Sequence, residues 1–431
     1  MIAPRIRFLA FGVLAATALR LWFSLAVHPP GNFLFSDMLV YQKHAERLRA
    51  LSLGVWDTFS SAGYPVLLAL VDPTGRHFAP IAVLQALMGG LICALAASIA
   101  WRLTSSRFVA LAVFLANALY FPLIYYGGLV LTEVPAAFFT TLSFWILLSV
   151  DSPSDRRRLV LAGLSLSLLS VIRPNMVLLY AGVPAYFWAA FGRDRRAAWR
   201  ALKPFILASL PLILAACVHN SILLRKPSGL ASNGGLNFYL ARAPVRIIHY
   251  QGDYGEYSIG PIPNMRRYGP ERDVRTPVPL FDEGHFYKEG LKQIWAEPRL
   301  LLTSFDNIKE GLGLGLQDYW PVWKTPSGAA QKWLLAFSRA FTWVILLPAA
   351  GRIAVLGIQK KLWEDRGAPW LLTGLSIGVL LATFYFYLGD PRIHVPFDPV
   401  LIAFSFAAVA AVRLRAAKRT VQAEKRSAVA R

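Results

Sequence analysis

Two cysteines in 431 residues rule out a disulfide scaffold. Cys93 and Cys217 both lie inside apolar runs, without the company a metal site needs. Acidic residues are also scarce, 24 against 45 Lys and Arg, giving a formal net charge of +21. In a soluble chain that excess would suggest nucleic acid. Here the basic residues gather in short segments between apolar runs: Arg5/Arg7, Arg102/Arg107, Arg156–Arg158, Arg193–Lys203, Lys360–Arg366 and the tail from Arg413. That is the pattern of the positive-inside rule, and it argues against a nucleic-acid partner. P-loop, HExxH, GxSxG and CxxC motifs are absent. The histidines (28, 44, 77, 219, 249, 285 and 394) form no close pair with metal-ligand spacing. No internal repeat is evident.

What the chain does have is apolar length. It is 56% hydrophobic with mean hydropathy +0.46, too apolar for a soluble protein of this size. Runs of 17–25 apolar residues recur, each able to cross a hydrocarbon core of roughly 30 Å. Ten spans fit, near 8–27, 79–101, 108–126, 134–150, 159–173, 175–191, 204–223, 334–357, 368–388 and 396–412. The first lacks a cleavage site and reads as an uncleaved span. With ten, every basic cluster falls on the cytoplasmic side. Two segments then lie outside: a first loop, 28–78, and a longer stretch, 224–333. From 225 to 332 there are 14 Lys/Arg and 11 Asp/Glu, with helix-like stretches at 283–299 and 300–316. It reads as a small folded cap rather than a linker. The expected division is 1–223 as an N-terminal transmembrane module, 224–333 as the cap, 334–412 as three further spans and 413–431 as a basic tail against anionic lipid.

Chemistry concentrates at the outer edge. Ser36 can cap a helix whose first turn holds Asp37, and Asp37, Tyr41 and His44 share a face at i, i+4 and i+7. Glu133 opens the fourth span beside Pro135, after a loop too short to reach far into solvent. Either acid alone could be a helix-start carboxylate favoured by the dipole; two at one membrane level favour a reaction centre. Only 14 uncharged residues, about 21 Å of helix, separate Arg158 from Arg173. Arg173 must therefore snorkel or face a polar cavity. Arg392 and His394 enter the last span among Pro391, Pro396 and Pro399. Arg and His there could bind a phosphate or anchor the interface. Arg20 carries the same alternatives.

The stretches SDMLVYQKHAERL and SAGYPVLLALV, then LTEVPAAFF, VIRPNMVLLY, SNGGLNFYLARAP, FYKEGLKQIWAEPRLLL and PRIHVPFDPVL, cover nearly the whole chain in order. Together the set resembles the GT-C membrane glycosyltransferases, nearest the protein O-mannosyltransferase and lipid A aminoarabinose transferase branch. The resemblance implies an all-α polytopic membrane protein of about ten transmembrane helices, with a juxtamembrane first outer loop and a small mixed extracytoplasmic cap. It implies a sugar donor on a polyprenyl phosphate, transferred with anomeric inversion on the outer face of the cytoplasmic (inner) membrane. The acceptor would be a lipid A, polysaccharide, glycolipid or protein hydroxyl. Asp37 takes the position of the general base and Glu133 that of a second acid. Arg173, Arg392, His394 and Arg20 are the expected donor-phosphate and lipid contacts. Tyr41, His44, Tyr64, Asn237 and Tyr239 are the expected substrate contacts. No cofactor is required by the residues; a divalent ion could bridge Asp37 and Glu133, but no ligand cluster demands one.

The sequence departs from the family pattern in places. Met38 stands where many relatives carry a second acid. Ala62-Gly63-Tyr64-Pro65 lacks the charges of the aminoarabinose enzymes. Arg242 follows the glycine-asparagine stretch, where it reads as a specificity difference. A transporter or flippase would place its charges nearer the bilayer midplane and show repeats. A polysaccharide polymerase or ligase would depend on a basic pair in the large loop.

Overall fold

The apolar runs fold as helices, and each break between them has a local cause. A computed structural model describes residues 3–72, 78–243, 245–253, 255–260, 272–315, 328–387 and 389–429. α1 (Ala3–Trp22) continues through a π-helical turn, Phe23–Val27. The first loop holds α2 (Asp37–Arg49) and α3 (Gly63–Val71). Then come α4 (Ala79–Thr104), α5 (Arg107–Ala118), α6 (Phe121–Gly127), α7 (Glu133–Leu147), α8 (Arg156–Ile172), α9 (Gly182–Ala190) and α10 (Arg195–Leu224). Among the described residues, five helices are long and apolar enough to cross a bilayer: Ala10–Val27, Ala79–Thr104, Arg195–Leu224, Phe341–Ile358 and Ala368–Phe386. The bent pair α5–α6 makes a sixth if counted as one span. The other expected spans fall on shorter helices such as α7, on a helix preceded by the 3-10 turn Pro174–Ala181, and on the last helix.

Arg20 explains the bend. Pro122 sits in the first turn of α6, and the α5–α6 axes meet at 44°. The break leaves carbonyls at the end of α5 without helical partners. Arg20, fully buried on α1, donates to Asn117 O at 2.8 Å, Ala118 O at 3.2 Å and Ala16 O at 3.0 Å. The expected contact of Arg20 with donor phosphate is therefore replaced by a helix-capping one. Gly89 makes the approach possible, since a Cβ there would collide with the Arg20 side chain.

Between α10 and the C-terminal helices lies the cap. It contains α11 (Gly234–Leu240), β1 (Val245–Gly252), β2 (Gly255–Ile259), β3 (Arg272–Thr276), α12 (Glu283–Ala296) and α13 (Leu300–Gly311). The sheet order is β2-β1-β3, with β1–β2 antiparallel and β1–β3 parallel. The two expected helical stretches are α12 and α13; the end of the second, residue 316, lies outside the described residues. The sheet and α11 bury Leu236, Tyr239, Ile248, Tyr250 and Phe286 in a core of their own. Trp56 and Phe59 of the first loop pack against that core. Arg47 grips buried Asp57 with two nitrogens at 2.6–2.9 Å, and the Ser232 amide donates to Thr58 O at 2.8 Å. First loop and cap are thus tied together at the end of α2.

The chain closes with α14 (Gly328–Ala340), a π turn (Phe341–Leu346), α15 (Leu347–Ile358), α16 (Ala368–Phe386) and α17 (Asp398–Val429). Arg242 staples the cap to α16. Its guanidinium donates to Phe386 O at 2.8 Å, Tyr385 O at 3.1 Å and Phe238 O at 3.0 Å, and lies 3.9 Å from the Phe238 ring centre. Burial draws its pKa down to about 10, so it remains a cation at neutral pH. It satisfies terminal carbonyls of α16 that would otherwise be orphaned, which replaces the specificity role expected from the sequence. Arg242→Ala should destabilise the fold by about 3 kcal/mol, the scale of lost charge-assisted hydrogen bonds to buried carbonyls. Thermal unfolding in detergent measures this, and an unchanged midpoint would contradict the staple.

Candidate active site

Four segments remote in sequence meet on the cap side of the bundle. α2 begins at Asp37 after a sharp turn at Ser36, whose φ of 50° and ψ of −123° are rare for a residue with a side chain. The Ser36 carbonyl accepts the Leu39 and Val40 amides, but its hydroxyl makes no capping bond. The expected serine cap is thus absent, and Asp37 itself brings the negative charge to the helix N-terminus. Backbone strain of this kind clusters at functional sites.

Glu133 starts α7 and is almost fully buried. The chain leading to it is held by Gln85, which donates to Gly127 O at 3.1 Å and Leu129 O at 2.9 Å. Tyr64 donates in turn to Gln85 Oε1 at 3.0 Å. α8 ends at Arg173 because Pro174 forces that residue into extended backbone. Arg392 lies on the 3-10 turn Pro391–His394 between α16 and α17.

These side chains form one charged cluster. Arg392 Nη2 donates to Asp37 Oδ2 at 3.0 Å, and its Nη1 lies 3.8 Å from Glu133 Oε1. Asp390 accepts the Arg392 amide at 2.9 Å and lies 3.1 Å from its Nε. Arg173 donates to Glu133 Oε1 at 3.2 Å. Three carboxylates thus face two guanidiniums, a formal balance of −1. Burial works against the Arg392 charge, but Asp37, Asp390 and Glu133 outweigh it and hold the guanidinium protonated. The Asp37 side chain is 40% exposed and Glu133 only 2%. Glu133 Oε2 is buried with no hydrogen-bond partner among the described residues. A buried carboxylate oxygen left unsatisfied is where a ligand donor fits. Tyr41, one turn after Asp37, meets Tyr64 edge-on at 5.2 Å. Burial, then the charges of Asp37 and Glu133, push its hydroxyl above the ordinary tyrosine value, so it stays a donor. Among the described residues no group of three or more His, Cys, Asp or Glu could hold a metal ion; the Arg392 guanidinium already bridges the two acids.

A family model described as dolichyl-phosphate-mannose-protein mannosyltransferase matches residues 36–214, the stretch that carries Asp37, Glu133 and Arg173. The fold is shared with the oligosaccharyltransferase AglB of Archaeoglobus fulgidus in complex with an inhibitory peptide and a dolichol-phosphate. That match has a TM-score of 0.51 at 11% identity and covers 97% of this chain. An Archaeoglobus fulgidus oligosaccharyltransferase tethered with an acceptor peptide gives a TM-score of 0.50 at 10% identity over 94% of this chain. The stretch 36–214 is thus similar to that mannosyltransferase family, and the likeness to the archaeal enzymes is one of fold. The chain spans about half the length of these structural relatives, 49% and 52%. No curated protein matches its sequence.

Within this fold, Asp37, Glu133, Arg173 and Arg392 come together, with Tyr41 beside them. Other expected residues do not. His394 is fully buried, its Nδ1 2.8 and 3.0 Å from the two Asp398 carboxylate oxygens, and its ring stacks on Phe341 at 3.6 Å. Tyr120 donates to the same Asp398 at 2.7 Å. His394 therefore pins the turn that presents Arg392 instead of facing a phosphate. Tyr64 is likewise buried and positions the approach to Glu133. Tyr239 belongs to the cap core, and Asn237 lies on the same short helix. Asp390 went unremarked in the sequence, although an acid two residues before an arginine and followed by proline signals a side-chain-capped turn.

His44 shares a helix with Asp37 but turns to the other end of it. Its ring is buried, neither nitrogen makes a hydrogen bond among the described residues, and Asp57 lies 4.0 Å away. Burial lowers its pKa from 6.5 to about 4, with Asp57 opposing and Arg47 and His219 adding to the effect. A neutral histidine in the fold and a protonatable one in the unfolded chain mean stability is full above about pH 6.5 and falls as pH drops toward about 4. Replacing His44 with leucine should flatten the decline in unfolding temperature across that window. Equal slopes in both proteins would place the acid sensitivity elsewhere.

Proposed function

We propose that this protein moves a sugar from a polyprenyl-phosphate carrier to an acceptor hydroxyl, with inversion at the anomeric carbon. The observation that carries the reading is the Asp37–Arg392–Glu133 cluster, in which the most exposed carboxylate shares its cation with a buried one. The description of the matched family and the dolichol-phosphate bound by AglB support a polyprenyl-phosphate donor. The acceptor would be a hydroxyl of lipid A, a polysaccharide, a glycolipid or a protein.

Asp37 would act as general base. Its Oδ2 is held by Arg392, and Oδ1 has no hydrogen bond to the described residues, so it can accept the acceptor hydroxyl proton. As that oxygen attacks the anomeric carbon, the bond from carbon to the carrier phosphate breaks and the phosphate departs with the electron pair. Phosphate is a good leaving group, so the main demand is positive charge where the anion forms. Arg392 has five N–H donors in a fixed fork, enough to steady the phosphate while retaining its carboxylates. Arg173 adds a second cation and Glu133 Oε2 a place for a substrate hydroxyl. On the ten-span topology the site faces the periplasm or outside of the inner membrane, under the cap.

Asp37→Asn keeps the shape and removes the base. In purified protein in nanodiscs with a polyprenyl-phosphate hexose or pentose donor, transfer should fall about 10²–10⁴-fold, the range for general-base removal. Full transfer by a folded variant would sink the Asp37 assignment.

A further inference from the structure

The cap carries an apolar strip that the transferase reading does not use. On α13 the faces divide sharply: Leu300, Ser304, Asn307 and Glu310 are buried, whereas Leu301, Leu302 and Phe305 are exposed, Phe305 by 61%. Trp295, at the corner four residues before Arg299, is 90% exposed, and Leu291 lies one turn before it. A large aromatic so exposed on a folded helix is out of place in water.

The level of α13 identifies what covers it. Its buried face runs along the end of α16, where Asn307 donates to Tyr387 O at 3.0 Å; on the exposed side the Phe305 ring meets the edge of Tyr385 at 5.7 Å. At its far end Gly311 lies against Phe384, inside α16, and Leu312 O accepts from Thr342 at 2.6 Å. Both partners belong to helices apolar enough to cross a bilayer, Ala368–Phe386 and Phe341–Ile358. α13 therefore lies at the boundary where two spans emerge, and its exposed strip continues the outward apolar surface at Phe386. Arg299 and Lys309 are exposed at either end, where long basic side chains reach lipid phosphate. Aromatic and leucine side chains beside basic ones are the composition of interface-bound helices.

We infer that the α12–α13 corner docks into the lipid leaflet on the cap side, with Trp295, Leu302 and Phe305 among the acyl chains. The opposite face of the same helix packs on the Pro391–His394 turn, so the lipid contact lies directly behind the segment that presents Arg392.

Spin labels on single cysteines test this in the full-length protein, with Cys93 and Cys217 replaced. Labels replace Trp295, Leu302 and Phe305, and Asp253, exposed in the turn that follows β1, serves as aqueous reference. The protein is placed in nanodiscs of phosphatidylcholine and phosphatidylglycerol, and relaxation by dissolved oxygen is compared with that by a water-soluble nickel chelate. The expected result is oxygen dominance at positions 295, 302 and 305 and nickel dominance at 253. Nickel dominance at 295 and 305 would overturn the inference by putting the strip in water. Exclusion of both relaxers would overturn it by showing a protein contact there.

Discussion

The Arg392 guanidinium stands among three carboxylates drawn from three segments of the chain, Asp37, Glu133 and Asp390. A half-buried cation with one partner would be costly to hold, and so would Glu133 buried without one. Each is tolerable because the other is there. The arrangement fixes where the first loop, the start of α7 and the last inter-helix turn stand relative to one another. Arg173 joins through Glu133 and brings the end of α8 into the same unit.

Much of the remaining structure supports this contact. Gln85 and Tyr64 set the backbone before Glu133. Asp57 holds the far end of α2 through Arg47, and Asp398 with Tyr120 holds His394 beyond Arg392. Arg242 and Asn307 fix the end of α16, from which the Arg392 turn departs. The cap thus has a structural part in the site even where its residues do not enter it.

What the sequence disclosed follows from local physics. Hydropathy located the helices, because a run of apolar residues with basic ends has few alternatives. The short interval before Arg173 marked a side chain at the polar edge, and there it meets Glu133. Proline signalled the ends of α8 and the Arg392 turn. The misreadings concern side chains whose partners are backbone groups far along the chain. Arg20 and Arg242 look like phosphate or specificity arginines, but each caps carbonyls freed where a helix ends, and no local pattern shows those carbonyls. His44 obeys the same helical spacing as Tyr41, yet Asp57 and the cap-side packing define its surroundings. The short strands β2 and β3, exposed on most positions, carry too little alternation to stand out.

The central claim is that Glu133 and Arg392 act as one unit with Asp37. A double-mutant cycle of Glu133→Gln and Arg392→Lys on the rate of sugar transfer tests it directly, since residues acting as a unit are strongly non-additive. The account expects the double variant to lose at least about tenfold less than the product of the single losses, a coupling of about 1.4 kcal/mol. Multiplicative losses, agreeing within about twofold, would contradict it.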